Sequence, residues 1–195
     1  MSAAKAAGGF FVRSLLVFVA LFATWPVVGA TYASVFRGAG NGIVGFGSGG
    51  SVRFIEPADK TAPHDVELTL RDREEQAKRS VAVSSRRHGF MPSAFLFALI
   101  VATPVSWSRR ARAAAWAFVA MHAYIAVKLA LMPIAYPINA ASGYWPDVLA
   151  GFFWVVSGSS AGWMMVPLVI WALATLRKSD LPILLTPADS TPVID

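Results

Sequence analysis

Cysteine is absent from the 195 residues, so disulfides, thiolate metal centres and cysteine nucleophiles are excluded together. Charge is scarce: 14% of residues are Asp, Glu, Lys or Arg, against about a quarter in a soluble globular domain. No acidic residue falls inside any of the long apolar runs, which argues against coupled ion transport through a small transporter or channel. The formal charge is +6. The basic residues crowd at the ends of apolar runs instead of forming an exposed stripe, which is the pattern of membrane topology and excludes a nucleic-acid partner.

What is abundant is continuous hydrophobicity, 56% of the chain. It is gathered into runs over 14–36, 90–107, 113–136 and 148–176. At about 1.5 Å per helical residue, each is on the scale of a hydrocarbon core of about 30 Å. Lys5 and Arg13 precede the first run, and Trp25-Pro26 predicts a kink in it. A cleaved signal peptide, cut after Val28-Gly29-Ala30, competes with an uncleaved anchor. The length of the run favours the anchor. In the second run, Pro92 falls in the first turn and Pro104 weakens the last. Residues 108–112, with Arg109, Arg110 and Arg112, read as a tight basic hairpin. The loop 137–146 has no Lys or Arg and carries Tyr144 and Trp145, which suit a membrane interface. The fourth run, interrupted by the small residues 157–162, is either one long tilted helix or a helix broken near its middle, and the single helix is the reading adopted. The polar tail after it reads as disordered.

The segment 37–89 differs in kind. It holds nine of the 17 basic and seven of the 11 acidic residues, so it is solvated. Its glycine-rich front, 38–50, reads as a loop leaving the membrane. Residues 51–56 read as a strand. Residues 65–71 alternate strictly, with Val66, Leu68 and Leu70 on one face, and 80–84 repeat the pattern with Val81 and Val83. Residues 73–79 read as a charged turn. Such a thin sheet needs a cover, from membrane-proximal helices or a partner. The predicted fold is membrane α-helical, with four transmembrane helices and a small extracytoplasmic antiparallel β segment between helices 1 and 2. Its units are an N-terminal transmembrane helix (1–36), the β-rich segment (37–89), a three-helix transmembrane region (90–178) and a tail (179–195). First-helix dominance puts both termini in the cytoplasm and 37–89 outside.

Several constellations call for weighing. Gly158 and Gly162 form G-x-x-x-G, and Ser157 and Ala161 a second small-residue pair. Such pairs let helices approach closely, within one bundle or against a membrane protein partner. Residues 158–161 also resemble the serine motif of rhomboid intramembrane proteases, with Ser160 as nucleophile and His122 as base. The helix order is reversed and the helices are too few, so an intramembrane serine hydrolase is the alternative and not the reading adopted. His122 and Lys128 are ionisable groups inside the third run. Lys128 is expected to snorkel to the interface near Tyr136, assisted by Tyr124 one turn back. His122 lies deeper and is expected to be satisfied by bonds to nearby helices. Six positions apart, the two point in different directions. Gly40 to Gly45 match G-x-G-x-x-G, but without the flanking strand and helix this is no dinucleotide site. Arg86, Arg87 and His88 abut the second run, fitting either lipid phosphates or an acidic partner. His64 and His88 alone do not make a metal site, and no cofactor is expected.

The layout resembles that of the exosortase H-associated membrane proteins. The likeness lies in one N-terminal helix, a short extracytoplasmic segment and a helix entered through Arg87-His88-Gly89-Phe90-Met91-Pro92. That helix leaves through Ala102-Thr103-Pro104-Val105-Ser106-Trp107 and Arg109-Arg110. The resemblance covers the chain best up to about Arg112, and the last two helices by hydropathy only. It implies a bacterial inner-membrane accessory to an exosortase, an enzyme that processes proteins bearing a C-terminal sorting signal. Exosortases use a Cys nucleophile, so a chain without cysteine cannot be the enzyme. No catalytic residue carries over. The expectation is a non-enzymatic accessory or scaffold protein in contact with membrane lipid and a membrane partner.

Overall fold

The computed structural model describes residues 3–48, 51–59, 64–71, 78–135, 148, 151 and 162–176. Helix α1 (Ala3–Ala23) meets α2 (Trp25–Ser48) at Thr24, where the axis turns by 73°. The expected kink is therefore a corner. Pro26 has no N–H to continue the ladder, and the Thr24 hydroxyl donates to Leu21 O at 2.6 Å.

Strands β1 (Val52–Ile55), β2 (Val66–Arg71) and β3 (Lys78–Val83) form an antiparallel meander in sequence order. Phe54 pairs with Leu68 and Leu68 with Val81. The alternation read in β2 holds, with Val66, Leu68 and Leu70 buried. The cover for this face is intramolecular. Val66 and Leu68 join one cluster with Phe36 on α2 and with Met121, Ile125 and Leu129 on α4. Lys78 and Arg79 belong to β3, not to the expected charged turn, and residues 73–77 lie outside the described ones.

The glycine-rich stretch is a correction. Residues 38–48 are helical and complete α2. Glycine is a poor helix former, so packing supplies the reason. The Phe54 ring lies on Gly40, where an added Cβ would sit 2.6 Å from Phe54 Cδ2. Beside it, the Asn41 amide donates to Phe54 O at 2.9 Å and accepts from Phe54 N–H at 2.8 Å. One side chain thus satisfies the outer edge of β1 as a neighbouring strand would.

After β3, a π-helical turn (Arg86–Phe90) runs into α3 (Met91–Ala102), with Pro92 in its first turn as expected. Helix α3 ends before the run does. Thr103 is extended (φ −64°, ψ 126°) because Pro104 disfavours a helical residue before it. Helix α4 begins at Trp107 and runs to Ala135, so Arg109, Arg110 and Arg112 lie in its first turns and not in a hairpin. The reversal falls on 103–106. Arg110 donates to Thr103 O at 2.9 Å. Arg109 donates to Thr175 O at 2.6 Å, satisfying a carbonyl at the negative end of α5 (Gly162–Thr175).

Ring contacts set the helix directions. Phe10 stacks on Trp171 at 5.5 Å, Phe18 meets Phe95 at 5.8 Å, and the Trp171 indole donates to Thr103 Oγ1 at 2.8 Å. The start of α1, the ends of α3 and α5 and the start of α4 therefore share one end of the bundle. The sheet occupies the other.

Of these helices, one stretch, Trp107–Met132, is by itself long and apolar enough to cross a membrane. Ala7–Ala23 and Trp25–Gly45 meet that requirement only as a bent pair. Helices α3 and α5, at 12 and 14 residues, are shorter than a full crossing. The described architecture is mostly helical, with five helices and one three-stranded sheet.

Candidate functional site at the sheet–helix junction

The junction is built around the π-helical turn, a local geometry frequent at functional sites. Ser85, fully buried, anchors its start. Its N–H donates to Asp65 Oδ1 at 2.8 Å and its hydroxyl bonds the other carboxylate oxygen. Gly89 is required by close approach, because a Cβ there would collide with the Tyr32 hydroxyl. Phe90 packs against Trp25 at 4.9 Å and Tyr32 at 5.7 Å. The turn is thus tied to the sheet by Asp65 and to α2 by three rings.

Each of the three basic residues read from sequence takes a separate place. The Arg86 guanidinium lies 4.2 Å from the Phe22 ring centroid and 5.7 Å from that of Trp25. Its Nε is buried without an acceptor. Arg87 is exposed. The His88 Nδ1 is buried without a partner, and burial, then the nearby Lys128 and Arg87 cations, push its pKa down to about 3. The imidazole is therefore neutral.

Lys128 does not snorkel. It is 3% exposed, its Nζ has no hydrogen-bond partner, and it sits 5.3 Å from the Tyr124 ring centroid. The expected help from Tyr124 is present. The expected route to the interface is closed, because Met121, Ile125, Lys128 and Met132 follow helical spacing along the inward stripe of α4. His122 does point elsewhere, onto the exposed face. Its Nδ1 is 2.8 Å from Phe118 O, and the two rings are 3.9 Å apart. Its own helix satisfies it, not the neighbouring helices expected. Gly162 is the first residue of α5. Ser157, Gly158, Ser160 and Ala161 lie outside the described residues, as do the loop 137–146 and the tail 179–195.

Between α2 and the sheet runs a cleft of about 520 Å³, within the range of small-ligand sites. One wall is apolar, formed by Trp25, Pro26, Ala30 and Ala33 of α2. Charged and polar groups line the cleft as well, Arg37 from α2 and Glu56, Asp59, His64, Asp65 and Arg86 from the sheet side. Arg37 bridges it, donating to Asp65 O at 3.2 Å and pairing with Glu56 at 3.5 Å. Sequence reading missed Arg37 and Asp65 as site residues. Asp65 carried a usable signal, an acid immediately before an alternating strand, but its partner Ser85 is 20 positions away. Among the described residues no group of three His, Asp or Glu could hold a metal ion.

No protein-family model matches the chain, and neither a curated protein nor a solved structure gives a match.

Proposed function

We propose that this chain is a multi-span integral protein of the bacterial inner membrane. In this reading it is a non-enzymatic accessory or scaffold subunit that holds its sheet and cleft outside the bilayer for a membrane protein partner. One observation carries the reading: large apolar side chains point outward from every helix of the bundle. Phe11 and Leu16 on α1, Phe97 on α3, Trp116 and Phe118 on α4 and Leu173 on α5 are all at least 50% exposed. A water-soluble helix turns such a stripe toward the core, and soluble monomers rarely expose patches on this scale. In lipid the same surface is matched to its solvent.

On this reading α4 crosses by itself, α1 crosses together with its corner into α2, and α3 and α5 cross together with the flanking residues of their apolar runs, 90–107 and 148–176. Arg109, Arg110 and Arg112 stand at the end opposite the sheet, and Arg13 on α1 can extend toward that end along its aliphatic stem. The nine basic residues of 37–89 outnumber these, so the proposed orientation, with cytoplasmic termini and an outward sheet, rests on first-helix dominance and on the acids mixed among the basic residues of 37–89. The choice of an exosortase as partner rests on the resemblance of the turn at 87–92 and the exit at 102–110.

The absence of cysteine gives a clean background for testing. Ser80 on β3 and Ser108 at the start of α4 are both exposed. With Ser80→Cys, a membrane-impermeant maleimide is expected to label intact spheroplasts. With Ser108→Cys, labelling is expected only after permeabilisation. Release of the chain from membranes by alkaline carbonate would overturn the reading, and co-purification with an exosortase in mild detergent tests the partner.

A further inference from the structure

The charges along the cleft are not equivalent. Arg37 is balanced by Glu56 and by Asp65 O, and both oxygens of the Asp65 carboxylate are engaged by Ser85. Arg86 differs: no acid contacts it among the described residues, and its plane is held by the faces of Phe22 and Trp25. A guanidinium fixed by stacking keeps its fork of N–H donors pre-oriented and suits the bidentate geometry of a phosphate. It stands where α1 turns into α2, at the border between the outward apolar surface and the polar wall. Glu56, its side chain 64% exposed, lines the same cleft. One contact to Arg37 leaves Glu56 further acceptor positions.

We propose that this cleft binds the headgroup of an amine-bearing phospholipid of the phosphatidylethanolamine type. Its phosphate lies on Arg86, its ammonium at Glu56, and its acyl chains run along the Pro26–Ala30 side of α2. Charge complementarity decides the headgroup. Arg37 and Arg86 stand against Glu56 and Asp65 in the lining, so a zwitterion keeps the charges matched where a net-anionic headgroup leaves one unmatched. Aromatic rings flanking a basic residue at an apolar border are the usual furniture of a membrane interface. The proposal rests on the membrane reading above.

The test uses the full chain, reconstituted in vesicles of mixed phosphatidylethanolamine and phosphatidylglycerol and re-extracted in mild detergent. Retained lipid is quantified by mass spectrometry. The wild type is expected to enrich the amine lipid by about fivefold over the vesicle ratio. Arg86→Gln is expected to return that ratio to the vesicle value, and Arg53→Gln, exposed on β1 and outside the cleft, to leave it enriched. Equal retention of both lipids by the wild type overturns the proposal, as does enrichment that survives Arg86→Gln. Displacement of the lipid by millimolar inorganic phosphate reassigns Arg86 to a free anion and also overturns it. Should Arg86→Gln fail to accumulate, the wild-type ratio decides alone. Carbonate release would remove the membrane reading itself, whereas an embedded chain without headgroup preference removes this site only.

Discussion

The sheet and the helical bundle treat their apolar side chains in opposite ways. In the sheet, Phe54, Val66, Leu68 and Leu70 turn inward and Glu67, Arg53 and Ser80 turn away from the core. That is how a water-soluble domain hides its apolar surface. In the bundle, α3 and α4 bury Leu96, Leu99, Ile100, Ile125 and Leu129 beside the small Ala94, Ala98, Ala113 and Ala117. The large residues Phe11, Trp116 and Leu173 stand outside, 67%, 72% and 80% exposed. Small residues at helix contacts and bulky ones facing outward are what a lipid solvent selects. On the membrane reading proposed above, one chain is sorted against two solvents, with the boundary at the π-helical turn and α2.

The largest expected effect lies on the sheet side. Phe54 is 2% exposed, rests on Gly40 and meets Phe36 edge-to-face at 6.4 Å. Phe54→Ala should cost about 3–5 kcal/mol, seen as a lowered thermal midpoint in detergent. A loss below about 1 kcal/mol would mean that the sheet is not packed on α2 as a water-type core.

A middle-sized effect probes the boundary. With its pKa held down to about 3 by burial first, then by Lys128 and Arg87, His88 stays neutral in the folded state. The unfolded imidazole binds a proton below about 6.5. The unfolded state therefore holds more protons between pH 6.5 and pH 3, and stability falls as pH falls through that window. The loss at pH 5 should be about 1–2 kcal/mol relative to neutral pH. His88→Gln should flatten that part of the profile of thermal midpoint against pH. An unchanged profile would show that the imidazole is open to water.

The smallest effect sharpens the contrast most. Phe11→Ala removes as large a ring as Phe54→Ala does, yet on the outward face it should change stability by no more than about 0.5 kcal/mol in detergent. A loss matching that of Phe54→Ala would place the α1 face in a protein interface instead of lipid.

Much of the local structure was legible. The period-two pattern of Val66, Leu68 and Leu70 located β2 and its buried face, and Pro92 marked the start of α3. The Trp25-Pro26 pair marked the bend. These signals are carried by neighbouring residues, so they are present before the chain folds. The junction was less legible. Gly38 to Ser48 carry low helix propensity, and only the fit of Phe54 on Gly40 and of Asn41 on the β1 edge makes them helical. Arg109 to Arg112 look like a hairpin until Thr103 and Thr175 are brought within reach of Arg109 and Arg110. Lys128 was read as able to reach the interface because its distance to Tyr136 is a sequence quantity, whereas its direction on α4 is set by which stripe α2, α3 and α5 cover.

By itself the sequence determined the cysteine-free chemistry, the three short strands, the apolar runs and the opposite directions of His122 and Lys128, since each follows from composition or from a spacing of a few residues. Only the tertiary structure decided the 73° corner, the helical course of the glycines, the burial of Lys128 and the joining of Arg37, Asp65 and Arg86 along one cleft. Those features depend on contacts between distant positions, Phe22 against Arg86 being 64 apart, and no local pattern encodes which distant partner will arrive.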